Sequence, residues 1–413
     1  MKLSSVAFSN RLLPILLTQV AGLACGIIGV RLASHWVPPE VYGHYGIFLS
    51  LTPVGMWVIF AGLNKFAARH WAESRDRAGL LREVLAAAGR KTPWLVLTVA
   101  ALTMLALPEP SVPAGGLLLL VAAALTVAHF AQTTLQADRR HWADCSISAS
   151  GAVTRAFVPL LLYGFVSASF AALLGGFLLH ALVVAGLGVW WLRASWKKPA
   201  APGPRQLTAT YAGPLFTALA LAGWALGGMN RWVVAGFYGA EPAGYFTLAG
   251  NIALILPSML GTVLLQYLQP SWFAAYDGSV AARRDLMARV DRAAVAYAAS
   301  ALALTLLLQL LMPLLIGPLI SARYAAAAAL VMPAGFFAVA ITTGHFYHTA
   351  LLALRREPAC GPVDLSGTAC LIAGSLLGAA AGWEWFTRWL MWAPLVPWLV
   401  NRTLARRAAL RAA

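Results

Sequence analysis

Acidic side chains are scarce in this chain: Asp and Glu number 14 in 413 residues against 30 Lys and Arg, and the four charged types together reach only 11%. A typical soluble globular chain carries about 25% charged residues, so an ordinary soluble enzyme is excluded. Cysteine is also rare. Cys25, Cys145, Cys360 and Cys370 have neither paired nor metal-ligand spacing, which argues against a disulfide framework or a thiolate metal centre. A Gly-rich phosphate loop and a nucleophile elbow are both missing, so the chain has no recognisable means of hydrolysing ATP. Movement of a cargo would have to draw on a gradient, or on consumption of the cargo on the far side.

What the sequence has in abundance is apolar residues, 60% of the total, with a mean hydropathy of +0.74. A block of roughly 20 such residues crosses a hydrocarbon core about 30 Å thick. Blocks bounded by Pro, Gly or charge fall at 11–33, 43–68, 92–108, 113–136, 146–163 and 169–192. A second set falls at 208–237, 244–270, 292–317, 325–353, 361–381 and 386–402. The expected fold is therefore an all-α polytopic membrane protein of about twelve helices. An amino-terminal six-helix lobe (1–192), a linker (193–207), a carboxy-terminal six-helix lobe (208–402) and a basic tail (403–413) make up the expected domains. The linker carries Lys197, Lys198, Pro199, Pro202, Pro204 and Arg205.

Basic loops are retained in the cytoplasm. With the connections numbered in order, one side of the membrane holds 24 of the 30 Lys and Arg, the other only Arg323 and Arg388, and Arg31, Lys65, Arg155 and Arg231 fall within spans. Both termini are expected in the cytoplasm. The net charge of +16 is then a topology signal and does not point to nucleic acid. The outward connections are short, with no clustered acids, which disfavours a membrane glycosyltransferase or ligase. Two inward segments, 73–90 and 278–292, have amphipathic spacing, with Leu80, Leu81, Val84 and Leu85 on one face of the first and Leu286 and Val290 on one face of the second. They are expected to lie on anionic inner-leaflet lipids.

The two halves repeat. Arg31, then nine residues to Glu40-Val-Tyr-Gly43-His-Tyr45, is echoed by Arg231, then ten to Glu241-Pro-Ala-Gly244-Tyr-Phe246. Gly22 and Gly26 answer Gly223 and Gly227, and Trp71 answers Trp272. Both halves start on the same side, so the repeats are parallel and an arrangement of two lobes about a central cleft is expected.

At Pro39-Glu40-Val-Tyr-Gly43-His-Tyr45, Asn230-Arg231-Trp232 and Ala243-Gly244-Tyr245 the sequence resembles the Wzx-type polysaccharide flippases of the multidrug/oligosaccharidyl-lipid/polysaccharide (MOP) exporter superfamily. The resemblance implies a MATE-like fold in a bacterial inner membrane. It also implies a cargo of lipid-linked oligosaccharide on undecaprenyl pyrophosphate, with a polysaccharide polymerase and glycosyltransferases as partners. The chain departs from the family pattern at Asn230, where Asp is frequent, and at Ser321-Ala-Arg323-Tyr324.

Ionisable groups inside spans face a cavity or a partner. Arg31 and Arg231 have two readings: bidentate contacts to a pyrophosphate or acidic sugar, or snorkelling and capping of helix carbonyls. Arg155 lines a cleft or pairs with a neighbouring helix. Lys65, beside Asn64, meets an arriving phosphate or snorkels inward. Gln132, with His129 and Gln136, lines the cleft for sugar hydroxyls or makes interhelical hydrogen bonds. Arg31, Arg231, Arg155, Lys65, Asn64, Asn230 and Gln132 are thus the candidate substrate residues. All 14 acids are expected in loops or at helix ends, Asp144 and Asp364 complementing helix dipoles. That leaves no carboxylate inside a lobe to carry the coupling cation of a drug antiporter, the alternative function. His345 and His348 read as ordinary buried imidazoles, and neither a metal nor a cofactor is expected.

Overall fold

The computed structural model describes residues 5–71, 77–106, 112–138, 140–196, 214–274 and 279–410. Most of the expected linker, residues 197–207, and the tail beyond 410 lie outside the described residues. The helices are α1 (Ser5–Trp36), α2 (Pro39–Leu51), α3 (Ala61–Trp71), α4 (Arg77–Ala106), α5 (Val112–Ala137), α6 (His141–Phe165), α7 (Phe170–Trp196) and α8 (Pro214–Tyr238). They continue with α9 (Ala240–Ala274), α10 (Val280–Leu315), α11 (Ala328–Ala353), α12 (Glu357–Ala381), α13 (Trp383–Trp392) and α14 (Arg402–Leu410). Wide π-type turns at Met56–Phe60 and Pro397–Asn401 join α2 to α3 and α13 to α14, so these four helices make two bent rods. With the rods merged, the chain has the twelve-span, all-α architecture expected. Among the described residues, nine segments are long and apolar enough to cross a membrane on their own.

The two amphipathic segments are not separate helices on a surface. Residues 77–90 continue without a break into α4 and 280–292 into α10, helices of 30 and 36 residues, or about 45 and 54 Å at 1.5 Å per residue. Leu80, Leu81 and Val84, and likewise Leu286 and Val290, are buried, while Leu85 is exposed. The helical period of the amphipathic face runs on into the membrane block, so sequence alone marks no boundary between them.

Contacts gather the chain into two compact units, Met1–Val37 with His44–Trp224, and Pro38–Gly43 with Ala225–Ala413. In the first, α1, α5, α6 and α7 pack together. Phe177 meets both Tyr45 and Phe48 edge-on, and Phe60 lies 4.9 Å from Phe130 between ring centroids. The Trp224 indole donates to the Ser50 carbonyl at 2.6 Å, tying the first half of α8 to this unit. In the second, Trp272, Met287, Val290, Tyr297, Phe346 and Leu351 form a core shared by α9, α10 and α11. Leu310, Leu314 and Leu377 are largely exposed, as lipid-facing positions must be.

The repeated Glu-x-x-Gly motifs meet inside the second unit. A Cβ built on Gly43 would overlap the carbonyl oxygen of Ala240, and one on Gly244 would overlap that of Pro39. The starts of α2 and α9 therefore cross with backbone against backbone, an approach only glycine permits.

Candidate functional site

Arg231 lies two turns before the end of α8, which closes at Gly239 in the left-handed region (φ 94°). Its side chain is half-buried, and its guanidinium donates to Asn251 Oδ1 at 3.2 Å. Asn251, three turns into α9, donates through Nδ2 to the Tyr42 hydroxyl at 2.9 Å. Tyr42 and Tyr245 both stand edge-on to Tyr324, at 6.2 and 5.9 Å between centroids. The Tyr245 hydroxyl donates to Glu241 at 2.6 Å, and Arg323 sits 5.9 Å from the Tyr324 ring centre. The Asn251 amide oxygen orients the Arg231 guanidinium. Asn230, next to it, is buried, and its amide oxygen has no hydrogen-bond partner among the described residues.

The other expected site residues lie in the first unit and do not share this arrangement. Arg31 is exposed near the end of α1, where Ser34 and His35 bond its carbonyl oxygen at 3.0 and 2.9 Å. Arg155 is exposed on α6. Lys65 belongs to α3, and its side chain lies outside the described residues; Asn64 is buried with its amide oxygen unpartnered among them. Gln132 donates to Ser148 at 2.8 Å and Gln136 to Asp144 at 3.0 Å, making an interhelical seam between α5 and α6. Thr154 with His180, and Trp191 with Ser146, extend it to α7, each at 2.8 Å.

Expectations about four acids are corrected: Glu83 and Asp285 lie within α4 and α10, because the amphipathic segments run on into those helices, and two others differ in placement and partners. Asp291 lies in the interior of α10, buried, where it accepts from Tyr347 and Arg402 at 3.2 and 3.1 Å and also from Arg406. It was expected in a loop because the ninth span was bounded at 292. Asp364 sits in the second turn of α12, past the reach of the helix dipole, with Oδ2 2.5 Å from His348 Nδ1 on α11. His348 is thus no isolated core imidazole, and His345 is exposed. Among the described residues no three His, Cys, Asp or Glu side chains group as metal ligands.

Asn251 is absent from the sequence-based candidates, and Tyr42 and Tyr324 enter there only as motif residues without a role in the site. The one local signal was Asn251 itself, an amide inside the apolar block 244–270.

The architecture of helices and bent rods has known counterparts. A multidrug resistance MATE family transporter of the MOP superfamily, in an inward-facing conformation, superposes with a TM-score of 0.61 at 15% identity, covering 96% of each chain. The lipid II flippase MurJ gives 0.64 at 14% identity, covering 97% of this chain and 87% of that one. A variant of the Vibrio cholerae MATE transporter VcmN gives 0.56 at 14%, covering 99% and 98%. The fold is MATE-like. No protein-family model and no curated protein matches the sequence. Within the MATE-like fold, the Arg231 group combines a cation, amides, hydroxyls and aromatic faces, which suits an anionic ligand carrying hydroxyl groups.

Proposed function

We propose that the chain is a bacterial inner-membrane transporter that flips a lipid-linked oligosaccharide, carried on undecaprenyl pyrophosphate, from the cytoplasmic to the outer leaflet for surface polysaccharide assembly. The observation that carries this reading is Arg231, held on α8 by the Asn251–Tyr42 chain, in a block the sequence marks as a span. Intramembrane cations are costly and mark pathways, and an amide-oriented guanidinium suits a pyrophosphate or acidic sugar. The lipid II flippase among the structural neighbours supports a lipid-linked cargo on this fold. Two six-helix lobes, both termini in the cytoplasm, and a polymerase and glycosyltransferases as partners belong to the same proposal. Deleting the gene should leave lipid-linked glycan in the cytoplasmic leaflet and abolish surface polysaccharide, with restoration by the wild-type chain. Unchanged surface polysaccharide contradicts the proposal.

A second reading, a small-molecule antiporter, is favoured by one observation: Asp364 is a carboxylate inside the second unit, bonded to a titratable imidazole. Efflux of cationic dyes with intact surface polysaccharide in the deletion strain would select it.

A further inference from the structure

Asp291 and Asp364, both in the second unit, have cation partners that differ in kind. Asp291 holds Arg402 and Arg406, which stay charged at any physiological pH. Asp364 holds His348, an imidazole that can be neutral or cationic. Both members of this pair are partly buried and lie in segments apolar enough to cross a membrane. The π-type turn at Pro397–Asn401 brings buried Asn401 alongside. A Cβ on Gly367, one turn beyond Asp364, would collide with the Asn401 side chain, and one on Gly344, one turn before His348, would lie 3.5 Å from Asn401 Nδ2. Wide turns of this kind occur often at functional sites. Here the turn, two glycines and an amide border one ionisable pair.

We propose that His348 and Asp364, with Asn401 beside them, form a proton-binding site through which a proton gradient drives the second unit. One proton lies between Nδ1 and Oδ2. A second, taken from water, binds Nε2 and brings the pair from a net charge of −1 to zero; its release restores −1. An uncompensated charge is disfavoured inside the membrane, so the loaded pair suits an occluded state and the unloaded pair a hydrated one.

The other charged or titratable groups on the elements packed around the pair are as follows. On α11 they are His345 and Tyr347; on α10, Asp291 and Tyr297, with Arg283, Arg284, Asp285, Arg289 and Arg292 towards its start; on α14, Arg402, Arg406 and Arg407; on α12, Cys360 and Cys370; and in the α11–α12 turn, Arg355 and Arg356. Glu241 opens α9, Arg323 precedes α11, and Glu384 and Arg388 pair with each other on α13. None of these replaces the imidazole as the partner of Asp364. The site serves either cargo, and it rests only on transport being driven by a gradient.

The test needs no cargo. The full-length chain, with Cys25, Cys145 and Cys360 replaced by Ala, is labelled at exposed Cys370 on α12 with an environment-sensitive, pH-insensitive fluorophore in lipid nanodiscs. A jump from pH 8 to pH 6 should change the emission. The change should fall at least fivefold in His348→Gln and in Asp364→Asn and persist in His345→Gln. Exchanging choline for sodium at fixed pH should do nothing. A response that survives His348→Gln, or one elicited by sodium in place of protons, overturns the proposal. Nitrogen NMR of labelled histidines in the unsubstituted chain covers the case where a variant misfolds: an imidazole paired with Asp364 that never gains its second proton from pH 8 to 5 also overturns it. Because no glycan is present, a failure here leaves the cargo reading standing, and loss of the cargo reading leaves this result standing.

Discussion

The two units use the same helical repeat and put different chemistry inside it. In the first, the seam between α5, α6 and α7 bonds through neutral partners, Gln132 with Ser148, Thr154 with His180 and the Gln136 amide with Asp144, and its ion pair, Arg77 with Asp138, lies at helix ends. In the second, carboxylates meet cations: Asp291 with two arginines, Asp364 with His348. A neutral interhelical hydrogen bond in a membrane contributes about 0.6 kcal/mol on average, whereas losing one partner of a buried charged network costs considerably more. The first unit therefore reads as a scaffold whose polar seam tolerates loss. The second concentrates groups whose charge, or whose pairing, can change.

Substitutions can break this contrast. The largest effect is expected at the crossing of α2 and α9, where Gly43→Ala or Gly244→Ala forces two backbones apart and should cost about 3 kcal/mol, the upper range for overpacking. Gly223, which has open space around it, is the control: Gly223→Ala should leave the melting temperature unchanged or raise it, since alanine is favoured over glycine in a helix by about 1 kcal/mol. Equal losses at Gly244 and Gly223 in detergent melts would show that the crossing is not what makes glycine necessary. Next comes Asp291→Ala, which leaves Arg402 and Arg406 without their shared carboxylate and should cost about 2 kcal/mol. Limited proteolysis should then cut near α14 faster than in the parent. Gln132→Ala should be smallest, about 0.6 kcal/mol. A larger loss there than at Asp291 would reverse the contrast between the units.

How much of this was legible in the sequence depended on distance along the chain. The rods were readable because each needs only a local run of apolar residues, and the repeated Glu-x-x-Gly marked positions that the structure brings into contact. The sequence did not say that the two copies touch each other. His348 and Asp364 are 16 residues apart, and their meeting depends on a tight turn with Arg355 in the left-handed region (φ 55°), an uncommon conformation for a non-glycine residue. Asn251 and Tyr42 come together from 209 positions apart. Asp291 was misplaced for a different reason: an amphipathic helix that enters the membrane without a break has no sequence mark where water ends.

Topology supplies an independent check. Reporter fusions after Lys198 and after Ala413 should both report the cytoplasm, given 24 basic residues on one side against two on the other. An outward signal at either position would dismantle the parallel repeat.

If Arg231 binds an anionic, lipid-linked glycan as proposed, the most direct measurement compares Arg231→Lys with Arg231→Gln at matched membrane abundance, assayed for transport of that glycan in the deletion strain. Losing a charge-assisted contact of about 1.5 to 3 kcal/mol should lower apparent affinity roughly ten- to a hundredfold in Arg231→Gln. Arg231→Lys should recover only part of it, because lysine keeps the charge without the planar fork. Full transport by Arg231→Gln at normal abundance would contradict the account.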